Sequence, residues 1–133
     1  PSASRPTLTG ISRFRVVQEL DRQTAFRWVE ADFDDFAVDL MADYGAADVN
    51  RPALVKAFRE YLTVNKMSAD WEQVDAASTE SLVNTLSLIA PYEPKEKQAL
   101  LEAPDLKSRA DVLVALTEIS IARTKGGAGP RLQ

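Results

Sequence analysis

The sequence predicts a mainly α protein in which a β-hairpin precedes a bundle of four to five helices. Three observations predict it. Period-two alternation is confined to a stretch near the start of the chain; from Asn50 onward, helix caps precede apolar stripes at helical spacing; and 45% apolar with 27% charged residues over 133 positions suits one globular core. The expected division is an N-terminal segment and hairpin over 1–33, an acidic linker over 34–49, a helical bundle over 50–125 and a flexible tail over 126–133.

The first strand is expected within the β-rich run Gly10 to Leu20. Alternation sets Phe14, Val16 and Leu20 on one face and Arg13, Arg15 and Glu19 on the other. Asp21-Arg22-Gln23-Thr24 supplies a polar turn, and Ala25 to Phe33 reads as the returning strand. Arg13, Arg15 and Arg27 are expected to form a solvent-facing ladder with Glu19 and Glu30 across the hairpin. Charge then changes sign: residues 1–30 carry five Arg against three acids, whereas residues 31–50 carry six Asp and no basic residue. Within that acidic block Phe36, Leu40 and Tyr44 recur every four positions, which predicts a short amphipathic turn broken at Gly45.

Helical punctuation begins at Asp48 or Asn50, either of which can cap a helix with Pro52 in its first turn and an apolar stripe of Leu54, Phe58, Tyr61 and Leu62, ending near Lys66. Asp70 to Val74 predicts a single short turn. Ser78 caps a helix carrying Leu82, Leu86 and Ile89 to a stop before Pro91. The next helix starts at Pro94, has Glu93 and Glu96 near its positive end, and buries Leu100 and Leu101 before Pro104. Asp105 caps the last helix, whose stripe is Leu106, Ala110, Leu113, Leu116 and Ile119, and Gly126 to Pro130 closes it. Short connections imply antiparallel neighbours.

Composition narrows the chemistry. A net charge of −4 argues against nucleic acid and anionic membranes as partners, because phosphate binding rests on clustered Lys and Arg. Without cysteine or histidine the chain has no thiolate nucleophile, no disulfide and none of the commonest general bases or metal ligands. No apolar run approaches the ~20 residues of a membrane span and no signal-peptide pattern opens the sequence, so a cytoplasmic setting is expected. Asp32, Asp34, Asp35 and Asp39 offer oxygen atoms to a cation, but no glycine stands at the sixth loop position and no Glu at the twelfth, so no metal site is predicted. Lys66 with Ser68, or Lys107 with Ser108, are Ser-Lys neighbours in sequence alone, and catalysis needs convergence in space. The helices at Ser78–Ile89 and Pro94–Ala103 imitate a helix-turn-helix, yet the second carries Glu96 and Glu102. Trp28 and Trp71 suit packing between elements, and each suits the lining of a peptide groove. No catalytic residue and no cofactor is predicted.

Four segments in order carry a resemblance: the Gly10-x-x-Arg13-Phe14-Arg15 strand within Leu8–Leu20, Phe58-Arg59-Glu60-Tyr61-Leu62 at the end of a long helix, Glu96-Lys97-Gln98-Ala99-Leu100-Leu101-Glu102, and Asp105-Leu106 with Arg109. Together they resemble the Lon protease N-terminal domain, also called the Lon substrate-binding domain. That domain opens with a β-rich half containing a Phe-Pro-Leu strand and an Asn-Ile-Phe-Glu-Pro-Arg-Tyr-like segment, and neither string occurs here. The chain is therefore expected to be the back half of such a domain, similar to small stand-alone bacterial Lon-domain proteins. It carries no Gly-x-x-x-x-Gly-Lys-[Ser/Thr] phosphate loop.

The resemblance implies a non-enzymatic module that holds unfolded or tagged polypeptide segments through apolar surface flanked by charge. The residues predicted to do so are Phe36, Leu40, Met41 and Tyr44, with Met suited to varied partners. The simpler role for those four is burial against the first helix. The alternative function is a structural or oligomerisation module with no substrate contact. Open strand edges also predict self-association through residues 11–33, by edge pairing or hairpin exchange.

Overall fold

The computed structural model describes residues 4–127. Two compact units divide the chain, Pro1–Tyr44 and Gly45–Gln133.

In the first unit, β1 (Arg15–Leu20) and β2 (Trp28–Asp32) pair antiparallel as a two-stranded sheet. The connection is longer than the predicted turn, because β2 starts at Trp28 and not at Ala25. Thr24 explains the difference. Its amide donates to Arg22 O at 3.0 Å, its hydroxyl to Phe26 O at 2.7 Å, and that same hydroxyl accepts the Trp28 indole N–H at 3.0 Å, so residues 21–27 are held as a loop in place of a ladder.

The predicted faces are also corrected. The register runs Arg15↔Asp32 and Val16↔Ala31, then Gln18↔Glu30, Glu19↔Val29 and Leu20↔Trp28, leaving Val17 as an extra residue on β1. One inserted residue inverts every side chain beyond it. Phe14, Val16 and Glu19 therefore share the face of Val29, Ala31 and Phe33, and Leu20 joins Arg15 on the other.

After β2 the chain makes a 3₁₀ turn over Asp34–Leu40. Three residues per turn cannot align positions four apart, so the predicted stripe of Phe36, Leu40 and Tyr44 does not form. Gly45 adopts φ 75°, a left-handed conformation that favours glycine, and a second 3₁₀ turn covers Ala46–Asp48.

The second unit holds five α-helices among the described residues: α1 (Arg51–Val64), α2 (Trp71–Ala76), α3 (Thr79–Ile89), α4 (Pro94–Glu102) and α5 (Leu106–Gly127). The expected caps at Asn50, Ser78 and Asp105 are in place, and Asp70 caps α2 where only a short turn was expected. Asn50 accepts from the Ala53 amide at 3.1 Å, Asp70 from Gln73 at 3.3 Å, Ser78 from Ser81 at 3.1 Å and Asp105 from Ser108 at 2.7 Å. The Ser108 bonds hold the Asp105 carboxyl below its ordinary range. At α4 the Glu96 carboxylate returns to the Glu93 amide at 2.9 Å. Of the predicted tail, Gly126 and Gly127 belong to α5, and 128–133 lie outside the described residues.

α5 is the central helix, packing on α1, α3 and α4. The core joins Leu54 of α1, Leu82, Val83 and Leu86 of α3, Leu100 of α4, and Leu106, Ala110 and Leu113 of α5. Truncating any one of its leucines to Ala costs about 2–5 kcal/mol. Three predicted stripe residues are corrected: Ile89, Leu101 and Ile119 are exposed. On α3 Val83 is buried with Leu82 and Leu86, and on α5 the buried row continues through Thr117 and Ile121. Thr117 is tolerated inside because its hydroxyl bonds Leu113 O and the Tyr92 hydroxyl, each at 2.7 Å. Arg51 ties the end of α2 to α1 by donating to Val74 O and Ala77 O at 2.8 Å, and Arg109 ties α4 and α3 to α5 through Leu100 O and Asn84 Oδ1. Trp71 packs between elements: its ring meets Phe58 edge-on at 6.1 Å and lies 3.8 Å below the Arg59 guanidinium.

Candidate functional site

The Arg13-Phe14-Arg15 run organises the hairpin unit. The Arg13 amide and Nε both donate to Asp39 Oδ2, at 2.9 and 2.8 Å, while Nη2 donates to Asp39 Oδ1 at 2.8 Å. This fork is the strong, orienting kind of ion pair, and it is mostly shielded from solvent. Arg15 reaches Asp35 at 2.6 Å in the open, and that carboxylate raises the affinity of the guanidinium for its proton. Phe14 meets Phe33 with ring centroids 5.6 Å apart. The three consecutive side chains thus bind the 3₁₀ turn and the end of β2 to the start of β1.

The expected arginine ladder is accordingly corrected. Only Arg27 follows it, with Nε and Nη2 donating to Glu19 at 2.9 and 2.8 Å and drawing that carboxyl below its ordinary range. Glu30 accepts from Gln18 Nε2 at 2.6 Å, and Arg13 and Arg15 turn to the acidic segment. Asp35 and Asp39, read from sequence as part of a solvated linker, are the anchors that fasten it.

Of the four predicted binding residues, Phe36 is half-buried beneath the Arg13 guanidinium, which stands 4.7 Å from its ring centroid. Leu40, Met41 and Tyr44 are 69%, 54% and 52% exposed. Met41 and Tyr44 belong to one turn, closed by the Tyr44 amide on Met41 O at 3.2 Å. Alternation fixes neither the exposure of Leu40 nor the pairing of Arg13 with a carboxylate 26 positions away.

A second feature lies at the hairpin tip, where Trp28 was expected to pack between elements or to line a peptide groove. An open concavity of about 440 Å³ is lined by Leu20, Arg22, Thr24, Phe26 and Trp28 among others. Phe26 lies 5.7 Å from the Trp28 ring, with Arg22 at 5.7 Å. The relevant signal was Trp28 close to a polar turn. Among the described residues no cluster of acidic side chains is arranged to hold a metal ion. Of the Ser-Lys neighbours, Lys107 Nζ is engaged by Asp111 at 2.5 Å.

The family model of the ATP-dependent protease La (LON) substrate-binding domain matches residues 6–118. The chain belongs to that family. The match spans both units, from before the Arg-Phe-Arg run to the middle of α5. No curated protein and no solved structure matches the chain. The LON substrate-binding domain is a recognition domain and not a catalytic one. No helix among the described residues is long and apolar enough to cross a membrane.

Proposed function

We propose that the hairpin unit is a polypeptide-recognition surface that holds unfolded or tagged protein segments on Leu40, Met41 and Tyr44, beside Phe36. The observation that carries this reading is the exposure of three apolar side chains on a segment whose backbone is fastened by the Arg13–Asp39 fork. Exposed apolar groups that form a contiguous patch mark interaction surfaces. Unfolded chains expose the apolar side chains that such a surface can cover, and a flexible thioether accommodates varied sequences. Family membership supports binding of protein substrates as the general role. A cytoplasmic setting fits a chain without cysteine.

A titration of the full chain with a reduced, alkylated and permanently unfolded test protein examines this reading. Saturable binding is expected. The double variant Leu40→Asp/Met41→Asp should weaken it at least ~10-fold, equivalent to about 1.4 kcal/mol, with the helical circular dichroism unchanged. Equal binding by the variant moves the site elsewhere. No binding by the unaltered chain returns the structural or oligomerisation role.

A further inference from the structure

In a 3₁₀ turn, side chains three positions apart stand in one row. The turn over Asp34–Leu40 therefore presents three rows, and two of them are taken within the chain. Arg13 covers one, lying over the Phe36 ring and forking onto Asp39. Arg15 reaches another through Asp35. The third row is Asp34, Ala37 and Leu40, and all three are exposed. Among the described residues the Asp34 carboxylate has neither an ion pair nor a hydrogen bond; its amide alone is engaged, by Asp32 Oδ1 at 2.9 Å. Arg15 is held by Asp35 and drawn more weakly by Asp32, so it does not offset Asp34. Residues 31–50 contain no basic side chain that could. The free row thus carries an unsatisfied anion at one end and an exposed apolar side chain at the other.

We propose that this row selects polypeptide segments in which a lysine or arginine lies about four residues from an apolar side chain. Such selection rests on polypeptide binding at Leu40, Met41 and Tyr44 and defines the class of segment held there. At ~2 Å per residue, Asp34 and Leu40 stand about 12 Å apart along the turn. An extended polypeptide covers that distance in about four residues at ~3.3 Å each. With its apolar side chain on Leu40, beside Met41 and Tyr44, the segment passes over the small Ala37 and sets its cation against Asp34. One exposed ion pair adds little affinity. It discriminates well nonetheless, because an acidic segment in the same place meets a like charge that nothing in the chain neutralises.

Two labelled, unstructured peptides test it by fluorescence anisotropy with the full chain. They share a Leu-Phe-Leu run and differ only in bearing lysines or glutamates about four residues from it. At low salt the lysine peptide should bind at least ~10-fold more tightly, and the ratio should shrink as salt rises. Asp34→Asn should narrow the ratio by about 2- to 5-fold, and Asp34→Lys should abolish or reverse it. Glu72→Lys, exposed on α2, changes the net charge as much as Asp34→Lys and should leave the ratio in place. Hydrogen exchange of the β1 and β2 amides reports whether the hairpin persists in each variant. Equal binding of both peptides overturns the selectivity and leaves polypeptide binding standing. A ratio that ignores Asp34, or that falls equally with Glu72→Lys, also overturns it, since the preference then comes from the charge of the whole chain. Binding of neither peptide removes polypeptide recognition and the selectivity together.

Discussion

The two units are stabilised by different physics. Every buried side chain among the described residues lies in Gly45–Gln133, where leucines from four elements meet around α5. In Pro1–Tyr44 none of the described residues is buried, and long-range order comes from arginine–carboxylate bonds: Arg13 to Asp39, Arg15 to Asp35 and Arg27 to Glu19. Hydrophobic burial is indifferent to moderate salt, whereas exposed ion pairs are screened within ~10 Å at 0.1 M. An isolated hairpin is marginal. Binding surfaces are drawn from the low-stability end of a fold, and the difference supports the proposal that partners are held by the hairpin unit.

The largest expected effect breaks the scaffold. Leu113→Asp places a charge at a position 1% exposed, with no partner, and should cost more than about 4 kcal/mol, abolishing cooperative helical melting. Unchanged melting would contradict the assigned core. Next, Arg13→Ala removes a fork whose side chains are only 12% and 18% exposed. About 2–3 kcal/mol of local order should be lost. The comparison is sharpened if hydrogen exchange accelerates in β1 and β2 while the helical melt stays in place, and it fails if both units loosen together.

Thr117→Val should cost about 1 kcal/mol by removing the partner of the Tyr92 hydroxyl. Burial raises the Tyr92 phenol above its ordinary value of 10, with the Thr117 bond acting in the opposite sense. A raised value in the folded state means that the folded chain holds this proton more tightly than the unfolded one. The associated stability is complete below pH 10 and falls as pH rises through the folded-state value. An alkaline melting series on the unaltered chain and on Tyr92→Phe checks the sign: the Phe variant should lose less stability over that range. The smallest effect is expected at the exposed Lys125–Glu60 pair, 2.7 Å apart, where Glu60→Gln should leave melting unchanged.

Legibility from sequence followed the range of the interaction. The caps at Asn50, Ser78 and Asp105 were readable because donor and acceptor lie three residues apart. Leu101, Ile89 and Ile119 were not, because an apolar residue at helical spacing is buried only if a neighbouring helix arrives there, and Thr117 took an interior place through a hydroxyl bond to Tyr92 that spacing does not show. The hairpin was readable as an element, yet its faces were not, since nothing in Val16-Val17-Gln18 announces an inserted residue. At the candidate site the apolar residues were visible and their setting was hidden. Arg13 and Asp39 are 26 positions apart, and their bond turns an acidic linker into an anchored turn.

Polypeptide is proposed to bind the hairpin unit and not the helical unit. Hydrogen exchange of the full chain, measured with and without a saturating amount of the reduced, alkylated test protein, examines it most directly. Protection should appear within residues 8–44, centred on Leu40 to Tyr44, and leave the amides of α1, α3 and α5 unchanged. Protection confined to the helices, with the hairpin unit exchanging as before, would contradict it.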